Sequence, residues 1–169
     1  YLWNKIYRRE LFENVRFPVG QVFEDDAVIY KLLLEAKKIG LVNEPLYNYI
    51  VQRAGSITNT VDRKIFDIFK ACDSIIRSFK EKGVDQLYFS EMEYLCIVHI
   101  FARVRSVVNS KDIRLAFEFI DAAFKYLNRH FPNWRDNEHY LRSRIPKLVK
   151  HPPNPYERVR DSAFRLKAY

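Results

Sequence analysis

The sequence predicts a mainly α protein, in which the remnant of an α/β domain at residues 1–57 is followed by an antiparallel helical bundle at residues 58–169. Three observations predict it. From Thr60 onward, apolar side chains recur at the three- and four-residue spacing of helices that bury one face. Before that point the pattern is broken, and Tyr47, Tyr49 and Val51 alternate at period two as in a strand. Only four glycines occur in 169 residues, too few for the tight turns of a many-stranded sandwich, whereas 13 Phe and 11 Tyr supply bulky packing surface.

In chain order, Trp3 to Val15 reads as a short helix, broken by Pro18 and Gly20. Asp25 to Ile39 reads as a helix apolar on most faces, hence mostly buried, with Gly40 as its stop. Leu41-Val42 and Tyr47 to Val51 suggest one or two short strands, followed by the turn-like Arg53-Ala54-Gly55-Ser56. Three stripes then follow. Ile65 to Phe79 form the first and Phe89 to Val107 the second; Ile113 to Phe131 form the third, halted at Pro132. Short connections between long helices imply antiparallel neighbours. Asn133 to Ile145 reads as a shorter fourth helix, and Tyr156 to Tyr169 as a basic amphipathic one beyond the stiff Pro152-Pro153-Asn154-Pro155.

Charge and cysteine content bound the function. The formal net charge is +8, and 29 Lys and Arg face 21 Asp and Glu. The excess concentrates after residue 134, where a basic surface attracts phosphates of a polyanion or an anionic lipid surface. Cys72 and Cys96 make neither a disulfide framework nor a zinc site, so a reducing, cytoplasmic setting is expected. No apolar run reaches the roughly eighteen residues of a membrane span. The only methionine is Met92 and the chain opens Tyr1-Leu2-Trp3, from which a longer parent protein is expected.

The chemistry-bearing residues lie in the first third. Glu24-Asp25-Asp26 places three carboxylates at the start of a buried helix. The macrodipole and free N–H groups favour acids there, so helix capping accounts for one or two of them. Crowded like charges beside an apolar helix also raise one another's pKa, which makes a carboxylate a usable general base.

Trp3-Asn4-Lys5, Phe17-Pro18 with Gly20, Glu24-Asp25, Pro45-Leu46-Tyr47-Asn48-Tyr49 and Arg53-Ala54-Gly55-Ser56-Ile57 occur in that order. In this the first third of the chain resembles the C-terminal part of the bacterial family 2 glycosyltransferases, which have a GT-A type α/β fold. The resemblance implies an inverting transfer of a sugar from a nucleotide-diphosphate sugar to an acceptor hydroxyl, in the synthesis of cell-surface polysaccharide or glycolipid. Asp25 matches the family's catalytic base, with Glu24 beside it. Trp3 and Lys5 match the helix on the acceptor side, where an aromatic face suits a sugar ring and a cation a diphosphate. Arg53 and Ser56 match the segment that closes over the donor, where Arg offsets charge on the leaving diphosphate.

The nucleotide-binding half of such enzymes precedes the Trp-x-Lys helix and carries an Asp-x-Asp metal motif, which this sequence lacks. A divalent metal, Mn or Mg, is therefore expected in the parent protein and not on this segment. The partners implied are a nucleotide-sugar donor and a glycan or lipid-linked acceptor, with no nucleic acid. The helical residues 58–169 are expected to shape the acceptor site, to form a homodimer or to touch the inner face of the cell membrane. Histidines 99, 130, 139 and 151 lack metal-ligand spacing, and His99, inside an apolar stripe, is expected to be a hydrogen-bonded core residue. The alternative to the enzyme is a non-catalytic helical interaction module whose basic C-terminal region binds a polyanion.

Overall fold

The computed structural model describes residues 1–50, 61–143 and Ile145. These residues are mainly α, with no strand among them. Five α-helices follow one another: α1 (Glu24–Glu35), α2 (Asp67–Glu81), α3 (Phe89–Val108), α4 (Ile113–His130) and α5 (Glu138–Arg142). Single 3-10 turns lie at Arg9–Phe12, Arg63–Phe66 and Trp134–Asp136.

The stripes become the core. Ile68, Cys72 and Ile75 of α2, Cys96, Ile97 and Ile100 of α3, and Phe119 and Leu127 of α4 are fully buried together. Each such aliphatic or aromatic side chain contributes about 1.5–3 kcal/mol by leaving water. Phe119 also meets Phe66 edge-on and Phe69 face-on, both with centroids 5.4 Å away. Local signals fix the helix ends. Asp112 accepts the Leu115 N–H to start α4, and Gly83, at φ 68°, takes the left-handed turn after α2 that most side chains avoid.

α1 packs on α2, and its Ala27 belongs to the same apolar cluster as the stripes. Its other face holds Val28 and Leu32 against Val15, with Leu2, Tyr7, Leu11 and Phe12 around them. Lys82 on Glu35, at 2.6 Å, adds a surface clasp between the ends of α1 and α2. Cys72 and Cys96 are free and buried; contact with Cys96 and burial push the Cys72 thiol well above its ordinary pKa, so it is packing material and not a nucleophile.

Four local expectations are corrected. Trp3 to Val15 is not a helix; only Arg9–Phe12 turns, as 3-10. A helix of a dozen residues is marginal on its own, and here the apolar side chains dock irregularly onto α1 instead. α1 ends at Glu35, short of Ile39, because its buried residues run only from Ala27 to Leu32 and nothing remains to cover Ile39, which is exposed. Leu41-Val42 and Leu46 to Ile50 form no strand: a strand needs a neighbour for its backbone hydrogen bonds, and the described residues offer none. The fourth helix splits at Asn137. Its side-chain Oδ1 caps α5 by accepting Tyr140 N–H at 3.0 Å, while its side-chain Nδ2 donates to Ser90 O at 2.8 Å and Glu93 Oε2 at 2.6 Å on α3. The strand residue Val51, the Arg53 to Ser56 turn, His151 and the Tyr156 to Tyr169 helix lie outside the described residues.

Candidate functional site

The three carboxylates open α1, but none of them is its cap. The N-cap is Phe23, with no side-chain cap bond and with a left-handed backbone, φ 62° and ψ 33°. A bulky residue held there stores about 1–3 kcal/mol of backbone strain. Two contacts hold it: the Arg103 guanidinium of α3 lies over the Phe23 ring at 4.6 Å, and Phe23 packs against the main core. Strain of this kind persists where surrounding packing over-determines a segment, and here it fixes the point from which the carboxylates project.

The three acids diverge from that point. Glu24 is exposed. Asp25 is half-buried and its Oδ1 accepts the Asp26 N–H at 2.9 Å. Burial, and then the charge of Asp26, raise the Asp25 pKa above the usual aspartate value. Asp26 turns toward α3, where its Oδ2 lies 3.3 Å from His99 Nδ1. The Nε2 of the same imidazole lies 2.7 Å from the Tyr30 hydroxyl, one turn further along α1.

The protons on this chain follow from the chemistry. Burial, with the nearby Asp26 charge, pushes the Tyr30 phenol up to about 12, so Tyr30 keeps its proton beside Nε2. Tyr30, His99 and Asp26 thereby tie the first two turns of α1 to the middle of α3.

The expected acceptor-side residues assemble separately. Trp3 stacks on Tyr49 with centroids 4.7 Å apart and planes 9° apart, and meets Tyr47 at 4.7 Å and Tyr1 at 5.1 Å. Tyr47 and Tyr49, two residues apart, both reach the Trp3 ring. The Lys5 ammonium is taken up by Tyr1 O at 2.7 Å and Asn4 Oδ1 at 2.8 Å. No hydrogen bond or ring contact joins this cluster to the carboxylates among the described residues. Arg53 and Ser56 lie outside the described residues.

His99 is hydrogen-bonded as the apolar stripe implied, but it is partly buried at the edge of the core, and its partners were not legible. The one sequence signal was a histidine inside the apolar Tyr94 to Ala102 run. Among the described residues no group of three or more His, Cys, Asp or Glu could hold a metal ion. No helix among them is long and apolar enough to cross a membrane.

Comparison with known proteins places this chain near sugar-transferring enzymes. It is 38% identical over 81 residues, 48% of its length, to glycosyltransferase GlyG of Streptococcus pneumoniae serotype 4, of which the match covers 25%. It is 36% identical over 62 residues, 37% of its length, to glycosyltransferase GlyA of the same organism, covering 9% of that protein. The matches thus span a quarter or less of these relatives. No family model matches the chain. No solved structure matches it either.

Proposed function

We propose that these residues form the acceptor-side, C-terminal part of a family 2, GT-A type glycosyltransferase, and that Asp25 is its general base. The observation that carries this reading is the state of Asp25. It is half-buried on a strained helix start, its pKa is raised, and its carboxylate accepts the Asp26 N–H but makes no ion pair. A carboxylate with a raised pKa is a stronger proton acceptor. The partial identity to GlyG and GlyA supports the same reaction class.

In the reaction proposed, the acceptor oxygen attacks the anomeric carbon on the face opposite the nucleotide diphosphate, the bond to that diphosphate breaks, and the acceptor proton passes to Asp25. The sugar is transferred with inversion. Asp26, held by His99, supplies a fixed negative charge beside the base and orients the turn that carries it. Trp3 offers ring surface to a sugar, and Arg53 and Ser56 act on the donor side. A divalent metal, Mn or Mg, and the nucleotide pocket are assigned to the parent protein's preceding half, because the sequence carries no Asp-x-Asp; no step here runs through the metal.

The experiment measures sugar transfer by the protein with its nucleotide-binding half, before and after Asp25→Asn. The expected loss is about two to four orders of magnitude with donor binding nearly unchanged. Equal and mild effects of Asp25→Asn and Asp26→Asn would reduce the cluster to helix electrostatics and sink the reading.

A further inference from the structure

A cleft of about 330 Å³ opens between the Val15 to Pro18 stretch, α1 and α2. Asp25 is not among its lining residues. Lys31, which lines it, sits about 120° around α1 from Asp25 at roughly 100° per residue. Its volume is at the lower end of the about 300–1,000 Å³ of small-ligand clefts.

Its polar lining is strongly one-sided. Arg16, Lys31 and Arg77 face a single carboxylate, Glu81, with the hydroxyl residues Ser74 and Ser78 between them. The Arg16 Nη1 is anchored by the carbonyls of Phe12, Glu13 and Val15 at 2.7, 3.1 and 2.9 Å, which fixes the guanidinium and leaves its remaining donors unused among the described residues. Lys31 is only loosely engaged by Glu81, at 3.7 Å. Arg77 has no ion-pair or hydrogen-bond partner among the described residues. Ser78 Oγ is bonded to Ser74 O, while the Ser74 hydroxyl is unengaged among them.

We propose that this cleft is a binding site for a phosphate-bearing ligand, a phosphomonoester or diphosphate, gripped by Arg77, Lys31 and the pre-anchored Arg16. Guanidinium forks and an ammonium match the tetrahedral oxygens of phosphate, and a fixed Arg loses little freedom on binding. Ser74 can donate one further bond. Glu81 opposes the ligand and limits its affinity. The site goes beyond the sugar-transfer reading and does not use Asp25.

Calorimetry at low salt on the 169-residue chain tests it with three probes: inorganic phosphate, sodium pyrophosphate and monomeric dihexanoyl phosphatidic acid. Saturable binding of pyrophosphate is expected, weakened at least about fivefold by Arg77→Gln and by Lys31→Gln. Glu81→Gln should tighten it about two- to threefold, a gain that a misfolded variant would not produce. Uridine diphosphate, with or without manganese, should bind no more tightly than pyrophosphate, since the cleft reads only phosphate. Binding of the phosphatidate alone would assign the phosphate to a lipid, and binding of inorganic phosphate or pyrophosphate alone to a free ligand. Absence of saturable binding by all three probes, or binding that both cation variants leave unchanged, overturns the proposal. Loss of transfer in Asp25→Asn is read independently, so the two readings fail separately.

Discussion

His99 Nδ1 lies 3.3 Å from Asp26 Oδ2, so a side chain from the middle of α3 holds the turn of α1 on which Asp25 stands. The same imidazole meets the Tyr30 hydroxyl at 2.7 Å, and one histidine thus links two residues of one helix. Asp25 itself is left without an ion pair, with its pKa raised by burial and by the Asp26 charge.

This arrangement predicts coupling. His99→Ala leaves both Asp26 and Tyr30 without their partner in a partly buried place, and should destabilise the chain by about 1–3 kcal/mol in urea unfolding. Tyr30→Phe should cost less. In a double-mutant cycle the two substitutions should be non-additive by at least about 0.5 kcal/mol; strict additivity would show that the Tyr30 to His99 bond does not form in solution.

Asp25→Asn should move activity and stability in opposite directions. A carboxyl whose folded pKa is raised binds its proton more tightly folded than unfolded, so its contribution favours folding at low pH and is lost as pH rises through the folded value. At neutral pH the neutral amide removes that penalty. Thermal melts should show Asp25→Asn at least as stable as wild type at pH 7, with the difference vanishing near pH 3. In the active protein, the acid limb of the kcat/KM profile should fall above the ordinary aspartate value.

Glu93 makes a second, purely structural case. It is 6% exposed and accepts from the Asn137 amide at 2.6 Å, and burial raises its pKa despite that bond. Glu93→Gln keeps an acceptor for Asn137 and removes the buried charge. The melting temperature at pH 7 should rise by roughly 2–4 °C, and the gain should disappear as pH falls below the unfolded glutamate value, where wild-type Glu93 is itself neutral. Asn137→Ala should instead loosen α5 from α3 and lower the melting temperature.

The core prediction is simpler. Phe119, fully buried between Phe66 and Phe69, should cost about 3–5 kcal/mol when truncated to Ala. Denaturant titration checks it, and a loss below about 1 kcal/mol would mean that the aromatic stack is not packed as described.

The sequence by itself determined the mainly α character and the courses of α2, α3 and α4. A stripe such as Ile68, Cys72, Ile75 and Phe79 can be buried only if the segment turns every 3.6 residues, so period and helix are one statement. It also singled out Glu24-Asp25-Asp26 and gave His99 a hydrogen-bonded role. Only the tertiary structure decided the rest. Whether Trp3 to Val15 coils or docks irregularly depends on the apolar face α1 presents to it, and Leu46 to Ile50 forms no strand because none of the described residues lies beside it as one. The division of labour among the three acids was likewise beyond a linear reading. Asp26 differs from Asp25 only because His99, 73 residues later in the chain, arrives on one side of α1 and not the other. Arg77 and Lys31 face one cleft for the same reason: helix packing, not spacing along the chain, brings their charges together.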